Sequence, residues 1–135
     1  MEQALAANDD PNEWAMREFE RCAPFIQRAI NRTNGETALE HVREEVKAGH
    51  AQIWPLPNAC IITKISTFRT GLKVLHLWLA GGDKRQLLKA YEAYIEPWAK
   101  EKGCARMTIS GRPGWLRAMK TMGVEQIYVV MGKSL

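Results

Sequence analysis

His76 stands in the middle of an apolar run, KVLHLWLA, where few titratable side chains are found. An imidazole there is a general base if it faces a cleft. It is a hydrogen-bonded sheet residue if it does not. A second group with chemical potential is Gly111-Arg112-Pro113-Gly114-Trp115, a glycine turn ahead of a helix, with Arg106, Arg117 and Lys120 close by. Backbone amides and guanidinium groups at such a turn can hold an anion, with Arg112, Gly114 and Arg117 as the candidates, and Trp115 can stack on a ring. The competing reading has Trp115 packing the helix on a sheet while the arginines stay solvated. Cys22, Cys60 and Cys104 are far apart, form no Cys-x-x-Cys pair and have no histidine at ligand spacing. They read as three reduced thiols and not as a metal site or a disulfide. His41 reads as a surface or half-buried histidine without a chemical role.

The elements that must position these groups follow from periodicity. Lys73–Cys104 reads as strand, glycine turn, long helix and a second glycine turn into another strand. Val74, Leu75, Leu77, Trp78 and Leu79 make the nearly continuous apolar run of a strand covered on both faces. Gly81-Gly82 ends it, and Asp83 is placed to cap the next helix by accepting its first free N–H groups. Leu87, Leu88, Tyr91, Ile95, Trp98 and Ala99 form one stripe at helical spacing over about 84–102. Gly103 stops that helix, and 104–110 is a short strand, parallel to the first by the rule for crossovers.

Upstream, Pro11 with Asp10 opens a helix. Pro24 is expected to split it into pieces over about 12–22 and 24–32. Thr37 and Glu40 match a capping box for a second helix over 36–49, with Glu40–Arg43 as a surface pair. From Gly49 the apolar period becomes two, giving strands over 51–57, 59–66 and 72–80 joined by short polar turns, an antiparallel meander. Pro113 begins a short helix to about 122, and QIYVVM, 126–131, reads as a last strand. The expected fold class is therefore mixed α/β, with a sheet of about five strands and helices on both faces. Residues 1–10 read as a loose tail on a single domain spanning 1–135.

Length and composition agree with one globular domain. The chain has 135 residues, 46% hydrophobic and 25% charged, which are ordinary globular values. No apolar run approaches the ~18 residues of a membrane span, and the start, MEQALAANDDPNE, lacks the basic and apolar regions of a secretory signal. The net charge of +4 is spread along the chain. It suits a solvated surface better than a nucleic-acid site.

The element order over about 12–132 resembles the Gcn5-related N-acetyltransferase (GNAT) fold. The phrases RCAPFIQRAI, GHAQIWPLPNACIITKI, LHLWLAGGD, WAKEKGC and GRPGW are similar to those of small GNAT-like proteins of tailed phages and prophages. The resemblance implies a phage protein working in the host cytoplasm or in the virion, with acetyl-CoA as the fold's usual cofactor. In GNAT enzymes the turn before the long helix reads Arg/Gln-x-x-Gly-x-Gly/Ala and cradles the cofactor pyrophosphate. Here the equivalent, Gly81-Gly82-Asp83-Lys84-Arg85, has no Gly-x-Gly and places a carboxylate where the phosphates would approach. The family's strand carboxylate is missing from ACIITKIS and LKVLHLWLA. His76 as base and Tyr128 as acid are the catalytic candidates that remain, and Tyr128 falls later than the family's usual acid.

Three readings follow. The first is a protein without a functional acetyl-CoA site that acts through contacts with a phage structural protein, a host protein or another copy of itself. The second is an N-acetyltransferase using acetyl-CoA on a degenerate loop. The third is a phage regulator binding nucleic acid or a host protein. Under the first, the expected interface comprises Trp14, Phe19 and Phe25 of the N-terminal helices and Trp54 near a sheet edge, since aromatic anchors dominate such contacts.

Overall fold

The computed structural model describes residues 10–135, so all but the last residue of the expected loose tail at 1–10 lies outside the described residues. Helix α1, Pro11–Ile30, begins as expected, with the Asp10 carboxylate accepting from the Asn12 N–H at 3.0 Å. Pro24 does not divide it. An interior proline costs about 3 kcal/mol. The stripe Phe19, Cys22, Ile26, Ala29 and Ile30 runs buried through that point, and each large side chain buried contributes about 1.5–3 kcal/mol. Burial of the whole stripe therefore outweighs the broken bond. Helix α2, Leu39–Lys47, starts later than expected, at an Ala38 cap with no side-chain bond. Thr37 lies one residue too early, and the Ala38 carbonyl takes the His41 and Val42 N–H groups. Arg43 reaches across to Glu20 of α1 at 2.8 Å, outside its own helix.

Strands β1 (Gln52–Leu56), β2 (Ala59–Thr67) and β3 (Lys73–Gly82) form the expected antiparallel meander, and β4 (Arg106–Ile109) pairs in parallel with β3. The sheet order is β1-β2-β3-β4. The crossover from β3 to β4 is a continuous helical rod in three parts: α3 (Lys84–Ala90), a π turn (Tyr91–Ile95) and α4 (Glu96–Glu101). The rod ends in α4 at Trp98, Ala99 and Glu101, and Gly103 follows in a left-handed conformation, φ 85°. Helix α5 (Pro113–Met119) and a 3₁₀ turn (Lys120–Met122) come last.

The continuous apolar run of β3 has a local cause. Ile62 of β2 pairs with Leu79 and Thr63 with Leu77, so Trp78 is an extra residue, a β-bulge. One extra residue reverses the alternation of faces. Leu75 and Leu77 pack into the cluster under α3 and α4, whereas Leu79 and Trp78 pack into the cluster under α1 and α2. Both faces of the sheet are thereby covered.

Among the described residues the sheet has four strands where about five were expected. Residues 126–131 pair with no strand, and Ile127, Tyr128, Val129, Val130 and Met131 are exposed. Strand propensity is a local property, but a strand forms only where a neighbour supplies hydrogen bonds and a surface to pack on.

The glycines at the end of β3 are there for packing. A Cβ at Gly81 would lie 2.1 Å from the Phe25 carbonyl oxygen of α1, and one at Gly82 would lie 2.4 Å from the Asn58 carbonyl oxygen. Gly82 also has φ 107°. Gly81→Ala is therefore expected to destabilise the fold by about 2 kcal/mol or more, as overpacking against rigid backbone does. Urea unfolding of the two proteins checks this; equal midpoints would show that α1 moves aside freely.

Candidate functional site: a cleft where two parallel strands part

Pairing between β3 and β4 runs only from Val74/Arg106 to Leu77/Ile109. Strand β3 continues to Gly82, while the other chain segment leaves the sheet at Ser110 and Gly111. Parallel neighbours that part in this way leave a groove at their carboxyl ends, the usual ligand position in an open α/β sheet. The groove has a volume of about 690 Å³. Its walls are Ala80, Gly81 and Gly82 of β3, Leu87 of α3, and the turn Arg112-Pro113-Gly114-Trp115 leading into α5. Arg28 and Arg32 reach it from the α1 end, Lys84 from α3 and Arg117 from α5. Among the described residues no carboxylate lines it.

The cleft therefore unites two groups that the sequence holds about thirty residues apart: the turn at Gly81 to Lys84 and the anion candidates Arg112, Gly114 and Arg117. The sequence reading missed Arg28 and Arg32. Arg28 lies in the last turn of α1 and Arg32 in the turn just beyond it, and nothing local shows that this end of α1 lies beside the β3 terminus. Lys84 Nζ lies 5.6 Å from the centre of the Trp115 ring, and the Arg28 guanidinium 5.4 Å from that of Phe25. Both cations are thus held against aromatic faces at the cleft margin. Trp115 packs on the cluster under α3 and α4.

Four backbone amides at the start of α3, those of Asp83, Arg85, Gln86 and Leu87, are committed to other groups. Asp83 Oδ1 accepts from the Arg85 N–H at 2.9 Å and from the Gln86 N–H at 3.2 Å. The Asp83 N–H donates to the Asn58 carbonyl at 2.9 Å, and the Leu87 N–H to the Asp83 carbonyl at 3.1 Å. Gln86 Oε1 takes the Asn58 N–H at 2.8 Å. The turn is thus clamped to the β1–β2 hairpin, and a helix start that elsewhere can hold phosphate is closed by its own carboxylate.

His76 lies outside the cleft. Its place on β3 is opposite Lys64 and Thr108, within the paired part of the sheet. Its Nδ1 is 2.8 Å from Thr108 Oγ1. Burial holds its pKa below the ordinary histidine value, although the contact with Thr108 opposes this; nearby Lys64 lowers it further. Lys64 stacks on Trp78 at 4.4 Å and reaches Glu45. Tyr128 is 72% exposed and does not line the cleft. Tyr91 is buried, and its hydroxyl donates to Glu96 at 3.2 Å; burial, with the Glu96 carboxylate, raises its pKa. Cys22 and Cys60 are buried and Cys104 half-buried. Burial pushes the Cys60 thiol well above its ordinary range. No group of three or more metal-ligating side chains occurs among the described residues.

Of the expected interface residues, Phe19 is completely buried, with the Arg43 guanidinium 5.3 Å from its ring centre. It therefore has no area to offer a partner. Trp14 and Phe25 are half-buried on α1. Trp54, also half-buried, donates from Nε1 to Thr63 Oγ1 at 3.0 Å and meets Trp98 edge to face at 5.3 Å. Its strand, β1, forms one edge of the sheet.

His76 gives a signed pH dependence. Its folded pKa is lowered, so the unfolded chain binds its proton more readily. The stability associated with neutral His76 is present above the unfolded value of about 6.5. It is lost as pH falls from there through the folded pKa. His76→Gln is expected to flatten that part of the stability–pH curve, measured by urea unfolding between pH 7.5 and pH 5, while leaving the curve above pH 7 parallel to the parent.

Comparison with known proteins supports the fold. No family model matches the chain, and no curated protein matches it. Solved structures do. Glucosamine-6-phosphate N-acetyltransferase from Arabidopsis thaliana superposes with a TM-score of 0.62 at 17% identity, covering 88% of this chain and 92% of that one. Ribosomal-protein-alanine N-acetyltransferase from Brucella melitensis biovar Abortus 2308 gives 0.63 at 10% identity, covering 89% and 94%. An aminoglycoside N-acetyltransferase in complex with CoA gives 0.63 at 15% identity, covering 97% and 99%. The chain has the GNAT fold.

Proposed function

We propose that this GNAT-fold protein acts through protein–protein contacts and lacks a functional acetyl-CoA site. The observation that carries this reading is the closed turn at Asp83. The amides of Arg85 and Gln86 are held by the Asp83 carboxylate, and the amide of Asp83 by Asn58. A pyrophosphate would have to displace the carboxylate from the same donors and would be repelled by it. The paired strands add no replacement chemistry: β2, β3 and β4 carry no carboxylate, and His76 lies outside the cleft. With the similarity to small phage and prophage proteins, this supports a role in virion assembly or host interaction. Trp14 and Phe25 on α1, together with the β1 edge, are the contact surface we assign to a phage or host protein.

A second reading rests on one specific observation. The cleft is lined by Arg28, Arg32, Lys84, Arg112 and Arg117 and, among the described residues, by no carboxylate. Side chains could thus hold a phosphorylated cofactor that the amides do not, and the chain would then be an N-acetyltransferase like its structural neighbours.

Calorimetric titration with acetyl-CoA separates the two. The expected result is no saturable heat at micromolar concentrations. A saturable signal lost in Arg112→Ala or Arg117→Ala would overturn the first reading in favour of the second. For the assembly role, mass spectrometry of purified particles of a phage that carries this gene is expected to find the protein, and Trp14→Ala to reduce its amount there with unchanged unfolding behaviour.

A further inference from the structure

The fold gathers charge that the sequence holds apart. Arg28, Arg32, Lys84, Arg112 and Arg117 all line the cleft, and all five are exposed. The whole chain carries a net charge of only +4, so the remainder is close to neutral and the positive potential is centred here. Elsewhere cations stand against carboxylates: Arg21 meets Glu18 at 2.8 Å, Arg43 meets Glu20 at 2.8 Å and Lys64 meets Glu45 at 3.5 Å. Among the described residues no carboxylate forms an ion pair with any of the five cleft cations. Like charges brought together without a counter-charge repel one another, and an anion that enters relieves the repulsion.

The site discriminates among anions. A compact diphosphate draws on backbone amides, and those of Asp83, Arg85 and Gln86 are taken by the Asn58 carbonyl and the Asp83 carboxylate. What remains is a set of side chains on separate walls: the end of α1, the start of α3, the turn before α5, and α5 itself. Cations spread in this way match charges spaced along a chain better than charge focused at one point. Four of the five are arginines, whose planar forks bind carboxylates two oxygens at a time. A nucleic acid would need a basic stripe over a broad surface, which the nearly neutral remainder does not supply. The cleft is also continuous with the surface assigned to a partner protein. The Arg28 guanidinium lies 5.4 Å from the centre of the Phe25 ring, and Phe25 is half-buried on α1.

We infer that the cleft receives an acidic segment of the partner protein, an extended run of Asp or Glu side chains whose carboxylates pair with these arginines. The inference rests on the reading that the chain acts through protein–protein contacts, and it adds the partner's chemistry and the place where it docks. The aromatic area of α1 supplies apolar burial, and the cleft supplies orientation and a fast encounter.

Fluorescence anisotropy of a labelled hexaglutamate peptide, titrated with the full chain, tests it. The expected result is saturable binding that weakens as salt is raised from about 50 mM to about 300 mM, with no binding of hexaglutamine. Arg112→Glu and Arg32→Glu change exposed side chains on two different walls. Each is expected to weaken binding about tenfold or more with an unchanged urea midpoint. Arg69→Glu, at the turn beyond the opposite end of β3, is expected to leave binding unchanged. Absence of saturable binding, or binding indifferent to both cleft substitutions, would overturn the inference. So would a single-stranded oligonucleotide or inorganic pyrophosphate that binds the cleft tenfold more tightly than hexaglutamate. Failure of hexaglutamate with acetyl-CoA also silent in calorimetry would sink the cleft inference alone. Saturable binding of acetyl-CoA that displaces hexaglutamate would sink the underlying reading as well.

Discussion

The bulge at Trp78 is the constraint on which most of the structure depends. Without it, the alternation begun by Leu75 and Leu77 would carry Leu79 to the same face and take it out of the core under α1 and α2. With it, β3 serves two cores in succession, one under α3 and α4 and one under α1 and α2. The central strand of a four-stranded sheet can therefore be covered on both faces by a chain of only 135 residues. The bulge also falls just past the last residue that β3 pairs with β4. Pairing with β4 ends at Leu77, the residue before Trp78, and a bulged strand bends and twists more sharply than a regular one. The cleft opens from that point.

Gly81 and Gly82 then bring three segments within backbone contact of one another. Each glycine sits where a side chain would strike a carbonyl oxygen, of Phe25 in one case and of Asn58 in the other. The close approach sets α1 against the end of β3, and so brings Arg28 and Arg32 to the cleft. The glycines thus shape the electrostatics of the site without touching a ligand. A glycine turn before a helix has two physical uses, to let an anion approach the amides or to let another part of the protein do so. In this turn the protein itself occupies that space, and the Asp83 carboxylate holds the amides.

Cationic charge collects in the cleft while titratable chemistry lies away from it. The arginines and Lys84 converge from four elements, yet His76 is held in the paired region by Thr108, and Tyr128 is out in solvent. A reaction by proton transfer needs its base within hydrogen-bond reach of the reacting group. A site for holding charge needs only the cations. The arrangement suits binding better than proton transfer, and the open sheet edges direct attention to surfaces that associate.

Local patterns in the sequence determined most of the elements. The alternation after Gly49, the stripe from Leu87 to Ala99, the Asp10 and Asp83 caps and the parallel crossover all depend on interactions within a few residues or on chain handedness, and the structure contains each of them. The hold of the Asp83 carboxylate on the Arg85 and Gln86 amides was legible for the same reason, because Asp83 and its donors are neighbours in the chain. Tertiary structure decided what depends on distant partners. Helix α1 passes Pro24 unbroken because its buried stripe is worth more than one lost bond. Phe19 went to the core and not to a surface because α2 and the sheet close over it. Arg28 and Arg32 joined Arg112 and Arg117 because two glycines admit α1 to the end of β3. Residues 126–131 have the composition of a strand in the sequence, but a strand is a relation between two segments, and among the described residues none pairs with this one.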